Sequence, residues 1–392
     1  MKNVMFFTHS LSGGGAEKTV RTVSNYINRH DYGLKSYVCV VYDSKQYHDQ
    51  VDNLVVLNVK SQRDDSKVKK AVNVFRQIAE VRAIKKKLKI DVCISFLPGA
   101  DIINVFSGVG EKKIVSVRNK ESLFTHNIFK KIYVKTSYLL CDKIVAVSNV
   151  VRKDVIDFFG IKAPKVVTIH NAVSDFNGQS SEIKPEVQKF IDGNRVIVNV
   201  GRLAPEKGQV HLIRAFAMIH EQIPDVKLLI LGEGDLRGSL QKLIDELKIS
   251  ESVLLAGSVP NPSAYLRKAN AFVLSSDVEG IPNVLLEALL CGLPCISTEC
   301  GAREILSPDT DPCYETKEIE YAKYGVLIPA CGGNDAALSG KNEAVMAKAI
   351  KELLGNEEAC RNYMLLAEEC TKAYSMEQIA GEWDKVLKDC FG

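Results

Sequence analysis

Glu279 and Glu287 stand eight positions apart in Glu279-Gly280-Ile281-Pro282-Asn283-Val284-Leu285-Leu286-Glu287. Two carboxylates so placed suit the capture of paired hydroxyls, as on a sugar ring and a ribose. Arg202 and Lys207 lie five apart in Val200-Gly201-Arg202-Leu203-Ala204-Pro205-Glu206-Lys207-Gly208. A planar guanidinium and a point-charge ammonium on one loop suit a diphosphate. Ser12-Gly13-Gly14-Gly15-Ala16-Glu17 opens a helix with a glycine run, where backbone N–H groups and the helix dipole favour phosphate. Its spacing is neither G-x-G-x-x-G nor the Gly-Lys-Ser/Thr of a Walker loop. Leu231-Gly232-Glu233-Gly234-Asp235 is a further glycine-rich segment, whose glycines are expected to keep the floor of a site open. The plain alternative for each is a tight turn or a pair of solvated loop charges.

These segments draw meaning from the elements that must position them. Ala271 to Ser276 reads as a buried strand, Asp277 to Pro282 as its exit loop, and Asn283 as a helix N-cap before Val284 to Leu290. Glu279 then sits at the carboxyl end of a strand, where open α/β sheets bind ligands, and Glu287 one turn into the helix. Strands are expected at Val4–Thr8, Tyr37–Val41, Leu54–Leu57, Val92–Phe96, Lys113–Val117, Lys143–Val147 and Val166–Ile169. Helical patterns at Glu17–Arg29, Val68–Lys89, Phe129–Leu140 and Asn149–Phe158 alternate with them, which is βαβ order and a parallel sheet. Residues 174–194 hold Gly178, Ser180, Ser181 and Pro185 and read as a linker. A second series follows, with strands at Val196–Val200, Val226–Leu231, Val253–Ala256, Phe272–Ser275, Pro294–Ser297 and Gly325–Ile328. The stretch from Glu343 to Asp389 reads as helical throughout. The expected architecture is α/β: two Rossmann-like, doubly wound domains, 1–173 and 195–373, facing a central cleft that is the default ligand site.

Composition bounds the function classes. A chain of 392 residues, 46% hydrophobic and 25% charged, is too long for one ordinary core and has no run of the ~20 apolar residues that a membrane span needs. Met1 to Phe7 enters a strand pattern directly, too short for a signal peptide. Eleven cysteines without framework spacing suit reduced thiols in a cytoplasm. Cys291 and Cys295 flank Gly-Leu-Pro with no completing ligand, so core packing is expected of them. The net charge of +3 hides an asymmetry: residues 1–180 carry 29 Lys and Arg against 16 Asp and Glu, the rest 22 against 32. The basic runs at 67–70, 82–89 and 130–131 read either as solvated helix faces or as a surface for an anionic membrane, a phosphorylated acceptor or nucleic acid.

In order along nearly the whole chain, Gly-Gly-Gly-Ala-Glu, Gly201-Arg202-Leu203…Glu206-Lys207-Gly208, Gly232-Glu233-Gly234 and Glu279-Gly280…Glu287-Ala288 resemble the retaining glycosyltransferases of the GT-B superfamily, family four. The resemblance implies that Glu279 contacts the donor sugar hydroxyls and Glu287 the ribose. It implies that Arg202 and Lys207 hold the diphosphate of a nucleotide sugar, with UDP the expected base. Backbone around Gly14, Gly15, Asn283 and Val284 would complete the phosphate site, with Gly232, Glu233, Gly280 and Ile281 lining the donor. The last helix, about 374–392, would cross back onto the N-terminal domain. No cofactor or metal is expected; Asp309-Thr310-Asp311 resembles a metal-binding Asp-x-Asp of another fold but reads as a surface turn. Many relatives carry a cleft histidine after a middle strand of the first domain. Here that region reads Val117-Arg118-Asn119-Lys120-Glu121, with Arg118 or Asn119 at the position and no histidine until His126. His9, at the first strand exit, is a further cleft candidate, and His170-Asn171-Ala172 precedes the linker.

The resemblance also implies that the first domain receives the acceptor. Phe124, Phe129 and Tyr133 interleave with Lys120, Lys130, Lys131 and Lys135, a basic-aromatic face suited to docking on an anionic membrane. A glycan or lipid-linked acceptor of bacterial surface-polysaccharide assembly is therefore expected, with the protein cytoplasmic and peripheral on the membrane. The rival readings are a nucleotide-sugar 2-epimerase of the same fold, which lacks this paired-glutamate arrangement, and a non-catalytic nucleotide-sugar binding module. No DNA-recognition motif is present.

Overall fold

The structure, a computed structural model, describes residues 1–11, 14–43, 50–62, 64–173, 182–332 and 336–391. They form two compact units: Met1–Ala172 with Ser375–Gly392, and Val173–Tyr374. In the first, β1 (Lys2–Thr8), β2 (Leu34–Val40), β3 (Leu54–Val56), β4 (Val92–Phe96), β5 (Lys112–Val117), β6 (Lys143–Ala146) and β7 (Val166–Thr168) form one sheet in the order β3-β2-β1-β4-β5-β6-β7. Every pairing is parallel. The inner strands read as unbroken apolar runs because helices cover both sheet faces. The covering helices are α1 (Gly15–Arg29), α2 (Lys67–Lys87), α3 (Pro98–Phe106), α4 (Ile128–Leu140) and α5 (Asn149–Asp157). The C-terminal helix Met376–Phe391 joins this unit: Ile379, Trp383 and Leu387 are buried in one cluster with Val4, Phe6, Ile94 and Phe96.

The second unit opens with α6 (Pro185–Ile191) and is built on β8 (Arg195–Val200), β9 (Val226–Leu231), β10 (Val253–Gly257), β11 (Ala271–Leu274), β12 (Cys295–Thr298), β13 (Glu320–Ala322) and β14 (Gly325–Ile328). Their order is β10-β9-β8-β11-β12-β14-β13, with β13 antiparallel to β14 at the edge. Its helices are α7 (Gln209–Ala217), α8 (Arg237–Glu246), α9 (Ser263–Leu266), α10 (Asn283–Leu290), α11 (Arg303–Leu306), α12 (Ala336–Gly355) and α13 (Glu357–Lys372). In both units the strand order reverses beside the first strand, so the carboxyl ends of β1 and β4, and of β8 and β11, flank a switch point.

Several expectations are corrected. Residues 182–194 of the expected linker hold α6, whose Val187 and Ile191 are buried, with Pro185 fitted to the first helical turn; residues 174–181 lie outside the described residues. The C-terminal helical stretch is three helices, broken at Asn356 and at residues 373–375. The short α3 and β13 went unread, α3 because its apolar residues are buried nearly all round and leave no polar stripe. Lys85 leaves its basic run for the core, where its Nζ donates to Glu111 Oε1 at 2.7 Å and to Asn104 Oδ1 at 2.8 Å. All eleven cysteines are free thiols.

Candidate functional site

In the second unit, the loops that leave β8, β9, β11 and β12 gather around one point. A 3₁₀ turn at Pro205–Lys207 follows β8 and ends at Gly208, whose φ of 62° is left-handed. A Cβ there would stand 2.0 Å from the Ser275 carbonyl oxygen, so only glycine lets this turn seat on the end of β11. Ser275 Oγ donates to the Lys207 carbonyl at 2.9 Å, and the Asp277 amide to the Glu206 carbonyl at 2.9 Å. Lys207 is thereby delivered to Glu279: Nζ lies 2.6 Å from Oε1. Ser276 Oγ donates to the same Oε1 at 2.9 Å. Oε2 has no partner among the described residues, so the carboxylate is gripped by one oxygen and presents the other.

Arg202 stays on the surface of its loop, paired with Glu206 at 2.6 Å. An exposed pair of this kind is worth at most about 1 kcal/mol and yields readily to a better anion. Glu287, in the second turn of α10, is 6% exposed. Pro282, not Asn283, caps α10 and lends it no side-chain cap; Asn283 is its first helical residue. Proline at the cap holds the extended backbone that the loop needs before the helix starts. Gly280 and Ile281 are buried beneath this start, with Val284 half-buried.

Gly232 and Gly234 serve a role other than an open floor. Gly232 has φ 150°, and a Cβ on it would meet the Gly201 carbonyl at 1.9 Å. The β9 exit lies directly on the β8 exit, with the Leu203 amide donating to the Glu233 carbonyl at 2.9 Å. The Glu233 side chain turns to Arg237, 2.8 Å away. Backbone packing between two loops is the physical reason for these glycines.

In the first unit, Gly14 is the N-cap of α1 at an ordinary φ of −69°, and its amide donates to Glu17 Oε2 at 2.7 Å. The helix start therefore carries its own carboxylate, and Gly14 is not an open phosphate donor here. Gly15 is the first helical residue; Ser12 and Gly13 lie outside the described residues. His9 packs against Gly99 at the start of α3, and its buried Nδ1 has no partner among the described residues; burial lowers its pKa. His126 is exposed on the loop before α4. Arg118, just past β5, is buried and bonded to Ser116, Thr19 and Asn171, while Asn119 is half-buried. Asp309, Thr310 and Asp311 form an exposed turn in which Thr310 accepts from Arg303 at 3.1 Å.

Four site residues escaped the sequence reading. Ser276 positions Glu279. Asp277 accepts the Gly332 amide at 2.6 Å, and its carboxyl is raised above the usual range by burial, with Gly332 opposing. Asn199 and Gln209 each bury a carbonyl oxygen with no partner among the described residues. The signal for Asn199 was available: a lone amide inside the strand run Val196-Ile197-Val198-Asn199-Val200.

The sequence model for glycosyl transferases group 1 matches residues 180–318, and that for glycosyltransferase family 4 matches residues 13–175. An uncharacterized glycosyltransferase of Methanocaldococcus jannaschii, MJ1059, is 29% identical over 80% of this chain and 82% of its own. A Campylobacter jejuni protein named N-acetylgalactosamine-N,N'-diacetylbacillosaminyl-diphospho-undecaprenol 4-alpha-N-acetylgalactosaminyltransferase is 26% identical over 99% of this chain and all of its own. Among solved structures, Anabaena Alr3699/HepE in complex with UDP and glucose superposes with a TM-score of 0.79 over 99% of this chain and all of its own, at 16% identity.

Proposed function

We propose, for a chain that belongs to the group 1 and family 4 glycosyltransferases of the GT-B type and is therefore an enzyme of sugar transfer, the following reaction. It moves a sugar from a nucleoside-diphosphate sugar, UDP-linked, to a hydroxyl of a glycan or lipid-linked acceptor, with retention at the anomeric carbon. The observation that carries the donor assignment is the Lys207–Glu279 pair at the joint ends of β8 and β11, beside the start of α10. Lys207, Arg202 and the first amides of α10 supply positive potential for a diphosphate. Glu279 Oε2 accepts from sugar hydroxyls, and Glu287 from the ribose.

The bond from the anomeric carbon to the diphosphate oxygen breaks as the bond to the acceptor oxygen forms on the same face. The acceptor proton passes to the departing phosphate oxygen. The residues then act chiefly by stabilising negative charge on the leaving diphosphate. Lys207 and Arg202 fill that role with fixed cations, which is why a metal-independent reaction is part of the proposal.

The named activity of the Campylobacter relative, on a sugar carried by diphospho-undecaprenol, supports a lipid-linked acceptor in bacterial surface-polysaccharide assembly. The α4 surface supports peripheral attachment to an anionic bilayer. Ile128, Phe129 and Ile132 are exposed there, Phe129 by 82%, and Lys130, Lys131 and Lys135 lie on the same helix.

Thermal unfolding with UDP, GDP, ADP and their sugars tests the donor half. UDP should raise Tm in the wild type, and Lys207→Ala should lose at least about tenfold in UDP affinity through one charge-assisted contact. No stabilisation by any nucleoside diphosphate would sink the reading.

A further inference from the structure

Arg118 is a buried cation with no carboxylate partner among the described residues. It sits at the carboxyl end of the first sheet and is 8% exposed. Nη1 donates to Ser116 Oγ at 3.3 Å, and Nη2 to Thr19 Oγ1 at 3.3 Å and to Asn171 Oδ1. The guanidinium carbon lies 5.7 Å from the centre of the Phe96 ring. Every one of these acceptors is neutral, and Nε–H has no partner among the described residues. Burial alone pulls the guanidinium down to about 9. Arginine is rarely buried without a paired anion, because its desolvation is then uncompensated.

A second observation is independent of the first. Thr8, at the end of β1, is fully buried and its Oγ1 has no partner among the described residues. Phe7 pairs with Ser95 across β1 and β4, and Phe96 with Ser116 across β4 and β5. Thr8 therefore falls in the row of Phe96 and Ser116, on the sheet face that carries Phe6, Phe96 and Arg118. In the next position, His9 Nδ1 likewise has no partner among the described residues. An uncompensated positive charge and two unfilled polar groups thus occupy the edge at which open α/β sheets take ligands.

We propose that Arg118 is the anion-reading residue of the first domain, taking an oxyanion of the acceptor — a carboxylate or a phosphate — with the Thr8 hydroxyl in support. This rests on the reading that the first domain receives the acceptor. The excess of basic residues in the first 180 is the long-range complement to such a ligand. The donor diphosphate has its own cations, Lys207 and Arg202, on the second unit.

The test is thermal unfolding of the full chain with UDP at saturation, so that the donor site is filled. Sodium glucuronate and inorganic phosphate are titrated against sodium chloride at matched ionic strength. One of the two oxyanions should stabilise saturably beyond chloride; glucuronate alone indicates an acidic sugar in the acceptor, phosphate alone a phosphorylated one. Arg118→Gln should raise the apparent Kd for that anion at least about tenfold, the loss of one charge-assisted pair, and Arg118→Lys should raise it less. If Arg118→Gln does not fold, Asn171→Asp gives a second reading. A carboxylate beside the guanidinium supplies the counter-ion internally, so it should raise Tm without added anion and remove the anion response. No response to either anion in the wild type, or an equal response in Arg118→Gln or Asn171→Asp, overturns the inference. Loss of UDP stabilisation in the same wild-type samples would instead sink the donor assignment. UDP stabilisation without an Arg118-dependent anion response sinks only this inference.

Discussion

Glu279 is held by one carboxylate oxygen, through Lys207 and Ser276, and this defines its chemistry. A carboxylate anchored at Oε1 by an ammonium and a hydroxyl is oriented, and its other oxygen can accept a hydroxyl. Neither partner makes it a proton donor, so positioning fits better than acid catalysis. Glu287 is a different kind of acid: it is buried on α10 itself and not on a strand-exit loop. The two should separate in mutants. Glu279→Ala is expected to lower kcat by about 10²-fold or more, the scale of a lost transition-state contact, while UDP affinity changes less than threefold. Glu287→Ala is expected to weaken UDP binding by roughly tenfold, one good hydrogen bond to a ribose. Calorimetric titration with UDP, run beside transfer assays, distinguishes them; equal effects in both mutants would refute the division of labour.

Elements decide where these residues can act. Gly208 and Gly232 let the β8 exit press against the ends of β11 and β9, because a Cβ at either would overlap a carbonyl oxygen. The packed loops make a rigid seat for Lys207, which rigid binding geometry requires. On the first unit, α4 turns Val134, Ser137 and Tyr138 inward and leaves Ile128, Phe129, Ile132 and Tyr133 on the outer side. An ordinary covering helix points its apolar stripe at the core; this one exposes a second stripe. The chain should sediment with vesicles containing phosphatidylglycerol at low salt and release at high salt, since each basic residue near such a surface contributes about 1 kcal/mol. Phe129→Ser with Ile132→Ser should abolish sedimentation and leave UDP stabilisation intact. Failure of the wild type to bind at low salt removes the membrane from the proposal.

At the scale of the molecule, the chain finishes in the unit where it started. Trp383, on the C-terminal helix, is fully buried and meets Phe6 of β1 edge-on, with ring centres 6.3 Å apart. The first unit's core is thus incomplete without residues nearly four hundred positions away from β1. Trp383→Ala should lower the stability of that unit by about 3–5 kcal/mol, the range for deleting a buried aromatic. Trp383→Phe should cost less than about 1.5 kcal/mol, because the indole N–H it removes has no partner among the described residues. Urea unfolding followed by tryptophan-independent circular dichroism measures both. Similar losses for the two substitutions would show that shape, not burial, dominates there.

Much of this was legible in the chain. Parallel-sheet strands such as Val92–Phe96 and Val226–Leu231 are buried on both faces, so they appear as uninterrupted apolar runs with sharp ends. The motifs at those ends, from Gly201 to Gly208 and from Glu279 to Glu287, follow from local order and were readable for the same reason. What local order does not carry is which groups meet. Lys207 and Glu279 are 72 positions apart and touch because two parallel strands end side by side. Lys85 left its basic run for Glu111, and Glu17 took the Gly14 amide, because burial and helix capping settle the partners of a charge after folding. Arg118 shows the same principle. Its type and position stand in the sequence, but only the packing of Phe96, Thr19 and Asn171 around it leaves a cation buried with no anion among the described residues. Strand pattern is set by a residue's near neighbours and is therefore written in the chain; pairing is set by contacts across the sheet, which exist only in three dimensions.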